Sequence, residues 1–90
     1  MTTTYFRPLA AEIAAPTSVG ASTNVGKAQN VRIINSHATA ASLVSLMDTD
    51  GSTTLGTMTL AAGESMVLNK GKEEELWAAA ATVKFVKCAR

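Results

Sequence analysis

The stretch VRIINSHATAASLVSLMDTDGSTTLGTMTL, residues 31–60, decides the fold of this chain. Short apolar runs rich in β-branched residues alternate there with turn-forming stretches, and the alternation continues to the C-terminus in ESMVLNK and TVKFVKC. Apolar positions do not recur at every third and fourth residue, which disfavours a helical domain. The pattern predicts five or six strands, at roughly the 8–12-residue spacing of a sandwich or barrel. We therefore expect an all-β fold, a small antiparallel β-sandwich or barrel.

Residues 48–60 and 71–81 refine this prediction. The Asp-Gly pair at 50–51 provides the positive φ that a tight hairpin requires, and apolar runs flank it. Further along, the apolar alternation changes phase at Gly56, which indicates a β-bulge. In GKEEELWAAAA we expect one helical turn through KEEEL, followed by alanines in an extended conformation.

The first two apolar runs have the pattern of central strands. Val31, Ile33 and Asn35 share one face of the VRIIN run, and Ile34 lies on the other face. The SLVSLMD run likewise carries large apolar residues on both faces. Strands that are apolar on both faces are typically covered on both. We therefore expect both runs inside a sheet rather than at its edge.

Residues 1–30 differ from the rest of the chain. They contain both prolines, and their apolar residues are widely spaced. We expect residues 1–28 to form an extended N-terminal arm, with strand-like pieces at TTYFR and AEIAA, ahead of a β domain at 29–90. An extended arm with spaced apolar residues can add a strand to the sheet edge of a neighbouring subunit; the alternative is a loosely packed tail. The candidate interface residues are Tyr5, Phe6, Arg7, Leu9, Ile13 and Trp77.

The composition predicts self-association. Aromatic residues make up only 4% of the chain, and much of its apolar content is alanine, which buries little surface. A domain of this size buries roughly 60–65% of its unfolded surface, so its stability margin is small. Cys88 is the only cysteine and His37 the only histidine, so neither an internal disulfide nor a structural zinc site is expected. By elimination, contacts between subunits are the expected source of further stability.

Charge and hydropathy disfavour several classes of partner. The net charge is +1, with no basic stripe interleaved with aromatic residues, so nucleic-acid binding is not expected. No run of 18 apolar residues is present, so a membrane span is not expected. The N-terminus lacks the basic and apolar regions of a signal peptide. One unpaired cysteine is consistent with a reducing cytoplasm.

The residues that could perform chemistry are better interpreted as structural. Asp48 and Asp50 resemble the start of a calcium loop, but the twelfth position is Thr59 rather than the required glutamate. His37 lies in a loop without a second histidine, and we interpret it as a solvated turn residue. Cys88 is interpreted as a small buried strand residue, the alternative being a reactive thiol beside lysines. The sequence therefore predicts no enzyme, no metal and no cofactor.

The order of these segments resembles that of a family. A Thr-rich start leads into YFRPL and an alanine- and threonine-rich connector; VRIIN, a small-residue turn, SLVSLMDTDGSTTLGTMTLAAGESMVLNKG and a last strand follow. In this arrangement the chain resembles small virion structural proteins of tailed bacteriophages, especially marine and cyanobacterial phages. The resemblance implies a β-sandwich or barrel present in many copies on a particle, with no catalytic residues. It also implies binding to the major capsid protein or other virion proteins, after assembly in the host cytoplasm.

Among such proteins we expect a capsid decoration (cement) protein, which stabilises the shell by binding capsid proteins and its own copies. A small, nearly neutral chain with a Thr/Ser/Ala-rich surface suits a subunit that must be soluble before it docks. A neck, tail or fibre-adaptor protein is the first alternative. A stand-alone carbohydrate-binding module is the second, although such modules usually display several coplanar aromatic residues.

Overall fold

The structure, a computed structural model, describes residues 7–89, apart from the side chain of Val19. These residues form a β-sandwich of two antiparallel sheets, so the predicted fold class is confirmed. The strands are β1 (Arg7–Pro8), β2 (Ile13–Ala14), β3 (Asn30–Asn35), β4 (Ser42–Met47), β5 (Thr54–Leu60), β6 (Ser65–Asn69), β7 (Glu75–Ala78) and β8 (Val83–Ala89), with a short 3₁₀ helix at Val19–Ala21. No helix within residues 7–89 is long and apolar enough to cross a lipid bilayer.

The chain crosses repeatedly between the two sheets. The large sheet has the order β1-β8-β3-β6, and β2 also pairs with β8. The small sheet has the order β5-β4-β7. β3 and β4 are central strands, which confirms the prediction made from their apolar residues on both faces. In these strand orders, β6 forms one edge of the large sheet and β5 forms one edge of the small sheet.

The core lies between the sheets and is built from alternate residues of their strands. From the large sheet it takes Ile33 and Phe85, which are directly opposite each other in the β3–β8 ladder and fully buried. From the small sheet it takes Val44 and Leu76, which are also fully buried. The outer face of β3 is half-buried at Arg32 and Ile34, so that strand is less covered on its second face than expected.

The hairpin and the bulge are both confirmed, but the hairpin connection is the six-residue segment 48–53 rather than a tight turn. β4 and β5 pair antiparallel across residues 48–53, and Gly51 has a φ of 71°. The carboxylate of Asp50 accepts hydrogen bonds from the backbone N–H groups of Ser52 and Thr53, which fixes the turn. At the start of β5 the pairing passes from Leu46–Gly56 to Met47–Thr54. Leu55 is therefore the extra residue of the bulge, next to the predicted position.

The segment after β6 differs from its prediction. Residues 72 and 73 form a turn in which Glu74 N–H donates to the carbonyl of Gly71 at 3.1 Å, and β7 begins at Glu75. The predicted helical turn is wrong because Leu76 exchanges two backbone hydrogen bonds with Thr23, at 2.8 and 3.0 Å, which requires an extended backbone. Of the four consecutive alanines, only Ala78 lies in the strand.

The described part of the N-terminal arm lies on the chain's own large sheet. β1 and β2 each pair antiparallel with β8, and the second of them confirms the strand-like piece in AEIAA. Residues 15–28 then run across to the small sheet and contribute Ala15, Val25 and Ala28 to the core. The division into an arm at 1–28 and a domain at 29–90 stays a prediction, and most of TTYFR lies outside the described residues.

Candidate interaction site

An apolar groove opens between the two sheets on the side of β5 and β6. It has a volume of about 180 Å³ and its lining includes Val44, Leu46, Gly56, Met58, Leu68 and Leu76. Three of these, Leu46, Met58 and Leu68, are hydrophobic side chains that pack against the core but stay only partly buried. The sandwich is therefore not closed on this side, and three apolar side chains that pack against the core stay accessible to solvent there.

Both strands beside the groove are sheet edges. Within the described residues, β5 pairs with β4 only and β6 pairs with β3 only. An edge strand presents unpaired backbone N–H and C=O groups, which proteins usually protect with charged residues or proline. Residues 51–69 contain neither lysine, arginine nor proline, and Glu64 is their only charged residue. Leu55 and Met66 remain 48% and 39% exposed on these strands. The site thus combines an apolar groove with unprotected, uncharged strand edges.

The predicted interface residues of the arm lie at the opposite edge of the large sheet. Leu9 is 49% exposed and its backbone N–H donates to the carbonyl of Lys87 at 2.8 Å. Ile13 is 40% exposed and is paired with Phe85. Arg7 is exposed on β1, whereas Tyr5 and Phe6 lie outside the described residues. The backbone of the arm is thus held in place while two apolar side chains face solvent.

Trp77 lies apart from the arm, on the outer face of the small sheet. It pairs with Ser45 of β4, and its indole N–H donates to the sulfur of Met47 at 3.3 Å. Its side chain is half-buried. The structure therefore does not bring Trp77 together with Leu9 and Ile13, because they belong to different sheets.

A lysine-lined cleft lies near the end of β8. Lys27, Lys72 and Lys87 contribute to its walls, together with Leu9. Two of the three ammonium groups have partners within the chain, since Lys27 lies 3.7 Å from a carboxylate oxygen of Glu73 and Lys87 donates to the carbonyl of Gly26 at 3.2 Å. Two of the three lysines therefore interact with residues at the cleft wall itself.

That wall is a left-handed turn. Val25, Gly26 and Lys27 have φ values of 54°, 65° and 59°, a conformation that a β-branched residue such as valine rarely adopts. The turn is held by a hydrogen bond from Ala28 N–H to the carbonyl of Asn24 and by burial of the Val25 side chain. It fixes the crossing of the chain from the arm to β3.

The remaining polar candidates are used in local structure. The Nδ1 atom of His37 accepts hydrogen bonds from the N–H groups of Thr39 and Ala40, as expected of a turn residue. Cys88 is buried and its thiol donates to the carbonyl of Asn30 at 3.7 Å. Hydrogen bonds from the turn hold the pKa of Asp50 below its usual value. Residues 7–89 contain no group of three His, Cys, Asp or Glu side chains that could hold a metal ion.

The opening of the groove was not predicted from the sequence. The available signal was the nearly uncharged stretch at 51–69, which was interpreted only as strand and turn. Comparison with known protein families, curated proteins and solved structures gives no significant match to the chain.

Proposed function

We propose that this chain is a virion structural protein of a tailed bacteriophage, and specifically a capsid decoration protein. It would stabilise the shell by binding capsid proteins and its own copies. The sequence resemblance supports the proposal, and the apolar groove between β5 and β6 is the observation that carries it. A groove lined by half-buried core residues and flanked by unpaired strand edges fits a subunit whose core is completed on docking.

The physical reason is the small core. A chain with few large side chains gains stability when a partner covers apolar surface, at about 25 cal/mol per Å² removed from water. Leu46, Met58 and Leu68 are the side chains that a docked partner would cover in the groove. Backbone pairing along β5 or β6 would add affinity, because an added strand forms main-chain hydrogen bonds with the sheet edge.

The arm offers a second contact surface for the shell. Leu9 and Ile13 are the exposed large hydrophobic residues of β1, β2 and the segment between them. Their backbones are fixed by β8, so docking these side chains would require little further ordering of the chain. We therefore assign to them the contact with the capsid protein.

Binding of purified protein to decoration-free phage shells tests this function. The double variant Leu9→Thr, Ile13→Thr keeps the backbone pairing with β8 and should reduce shell binding at least tenfold, as measured by co-sedimentation. Leu43→Thr is the matched control, because Leu43 is similarly exposed, at 43%, on the outer face of the small sheet.

Two results would contradict the proposal. Failure of the wild-type chain to bind shells, together with its absence from purified virions, would remove the assignment to the virion. A copy number in virions far below that of the major capsid protein would instead favour a neck, tail or fibre-adaptor protein.

A further inference from the structure

Gly56 lies next to the bulge at Leu55, but neither its φ nor its surroundings within the described residues require glycine. Its φ is not positive, unlike those of Gly26, Gly51 and Gly63. A Cβ atom built on Gly56 would meet no atom within 4 Å. Glycine in the interior of a strand weakens it, and it often marks either a bulge or a place where another backbone or ligand comes close. Within the described residues nothing comes close to Gly56, so the space beside it is open to a partner outside the chain.

The position of Gly56 indicates where that partner lies. Gly56 is paired with Leu46, on the face of the small sheet that lines the groove, and Met58 is on the same face. β5 is an edge strand, so its free side is accessible to a further strand. A partner strand on this edge would place a side chain across the gap that Gly56 leaves.

A second copy of β5 has the right pattern to be this strand. β5 has seven residues, Thr54–Leu60, so two copies in full antiparallel overlap place Thr57 opposite Thr57. In that register Gly56 of each copy lies opposite Met58 of the other. The long, flexible methionine side chain is suited to filling an irregular apolar gap. The strand is therefore complementary to itself at the position where the groove is open.

Charge also favours a second copy over a charged partner. Residues 51–63 contain no charged side chain. Two-fold pairing places the central residue of the edge, Thr57, opposite its own counterpart, so a charge there would repel itself. An uncharged edge avoids this repulsion, whereas an acidic or basic partner would find no opposite charge on the strand.

We propose that two copies of the chain associate through β5, forming one continuous six-stranded sheet in which Met58 of each copy covers the groove beside Gly56 of the other. This inference rests on the proposed function, which includes binding of the chain to its own copies, and it names the strand that makes that contact. Leu55, 48% exposed on the same strand, becomes covered in this pair.

Disulfide trapping tests the register. Directly opposite residues of an antiparallel pair have Cα atoms about 4.5–5.5 Å apart, within the range that a disulfide can bridge. Thr57→Cys should therefore give a covalent dimer on oxidation, reversed by reductant. Thr59→Cys is the matched control, because both threonines are exposed and pair with outer-face residues of β4, and only Thr57 also borders the groove. In the proposed register the two Thr59 positions lie four residues apart along the ladder, about 13 Å, so this variant should be trapped at least tenfold less.

Charge substitution tests the affinity. Thr57→Lys places two like charges opposite each other and should weaken dimerisation at least tenfold in sedimentation velocity. An equimolar mixture of Thr57→Lys and Thr57→Glu should restore the dimer as a heterodimer. Thr39→Lys is the control, since Thr39 is exposed in the loop after β3 and only its backbone N–H is used, in a bond to His37.

Each outcome either supports or overturns the inference. A wild-type monomer at high concentration overturns it, as does self-association that survives Thr57→Lys or that traps both cysteine variants equally. The last two results would place the self-contact elsewhere and leave the proposed function standing. A β5 dimer of a chain that is missing from purified virions would overturn the proposed function and leave the dimer.

Discussion

The substitution Asn35→Leu should remove a large part of the stability of the fold. Asn35 is fully buried at the end of β3. Its side-chain amide N–H group donates to the carbonyls of Ala40 and Leu60, at 2.9 and 3.1 Å. Its side-chain oxygen accepts from the N–H of His37 at 3.1 Å and from the hydroxyl of Thr82 at 3.4 Å. One side chain thus joins the loop after β3, the end of β5 and the turn before β8.

The magnitude follows from what leucine leaves behind. Leucine is similar in size to asparagine but its side chain forms no hydrogen bonds. Three backbone groups therefore lose a hydrogen-bond partner: the carbonyls of Ala40 and Leu60 and the N–H of His37. A hydrogen bond contributes about 1 kcal/mol net, and a buried group left unsatisfied costs about 1–3 kcal/mol. Of the four bonds only that to Leu60 is fully buried, so we expect a loss of about 3–5 kcal/mol. Small domains have about 5–15 kcal/mol in total.

Urea unfolding followed by Trp77 fluorescence measures this loss. Asn69→Leu is the matched control, because its side-chain amide makes two bonds of 3.3 Å at an exposed position. Its loss should stay within about 0.5 kcal/mol, as for most surface substitutions. A loss below about 1 kcal/mol for Asn35→Leu, or equal losses for the two variants, would refute this account of how the loops are held.

Three further predictions concern single positions. Burial lowers the pKa of Lys70 below its ordinary 10.5, so at this position the folded state binds fewer protons than the unfolded state. The free energy of unfolding of the wild type should therefore rise relative to that of Lys70→Met as the pH increases toward 10.5. A difference between the two proteins that stays constant with pH would contradict this. Gly51→Ala should cost about 1–3 kcal/mol in thermal unfolding, because φ is 71° and the new Cβ would lie 2.8 Å from the Glu75 carboxylate. Gly56→Ala should instead be neutral or stabilising by up to about 1 kcal/mol in the isolated subunit, because φ is not positive there and no described atom lies near the new Cβ. Equal losses for the two variants would count against both assignments. Ser42→Ala should be neutral or stabilising by up to about 1 kcal/mol, because the buried hydroxyl of Ser42 has no hydrogen-bond partner within the described residues; a clear loss in urea unfolding would reveal a missed contact.

Local patterns were sufficient to predict most of the strands. Five strands each show an alternation of apolar residues and are bounded by turn residues: β3, β4, β5, β6 and β8. Their extended conformation is therefore determined by residues that are close in sequence. The bulge was also predictable, because the phase change at Gly56 is a property of a few consecutive residues. The start of β7 was not, because it depends on pairing between Leu76 and Thr23, which are distant in sequence.

The N-terminal segment shows the limit of sequence patterns more clearly. Ala15, Val25 and Ala28 belong to the core, but two small residues and one isolated valine give no periodic signal. The left-handed turn at 25–27 runs against the preference of valine, and it is held partly by Lys87, some sixty residues further along. Such a conformation is determined by tertiary contacts and not by local propensity.

The candidate site was predictable only in part. The resemblance and the small core suggested that the chain binds partners, and Leu9 and Ile13 are exposed as an interface would require. Which side of the sandwich stays open depends on the order of strands in each sheet, which one sequence does not reveal. The assignment of all six residues to an interface stays a prediction: Tyr5, Phe6, Arg7, Leu9, Ile13 and Trp77.

Amide hydrogen exchange, read by mass spectrometry, most directly tests whether the β5–β6 side is completed by another protein surface. We expect fast exchange in dilute protein at those amides of residues 54–60 that point away from β4, and strong protection of the same amides once the chain is concentrated enough to associate. Exchange in β3 and β8 should be slow in both conditions, since these strands are paired on both sides. Protection of these outward-pointing amides already in the dilute monomer, or their unchanged exchange on association, would contradict the claim that this edge is where the fold is completed.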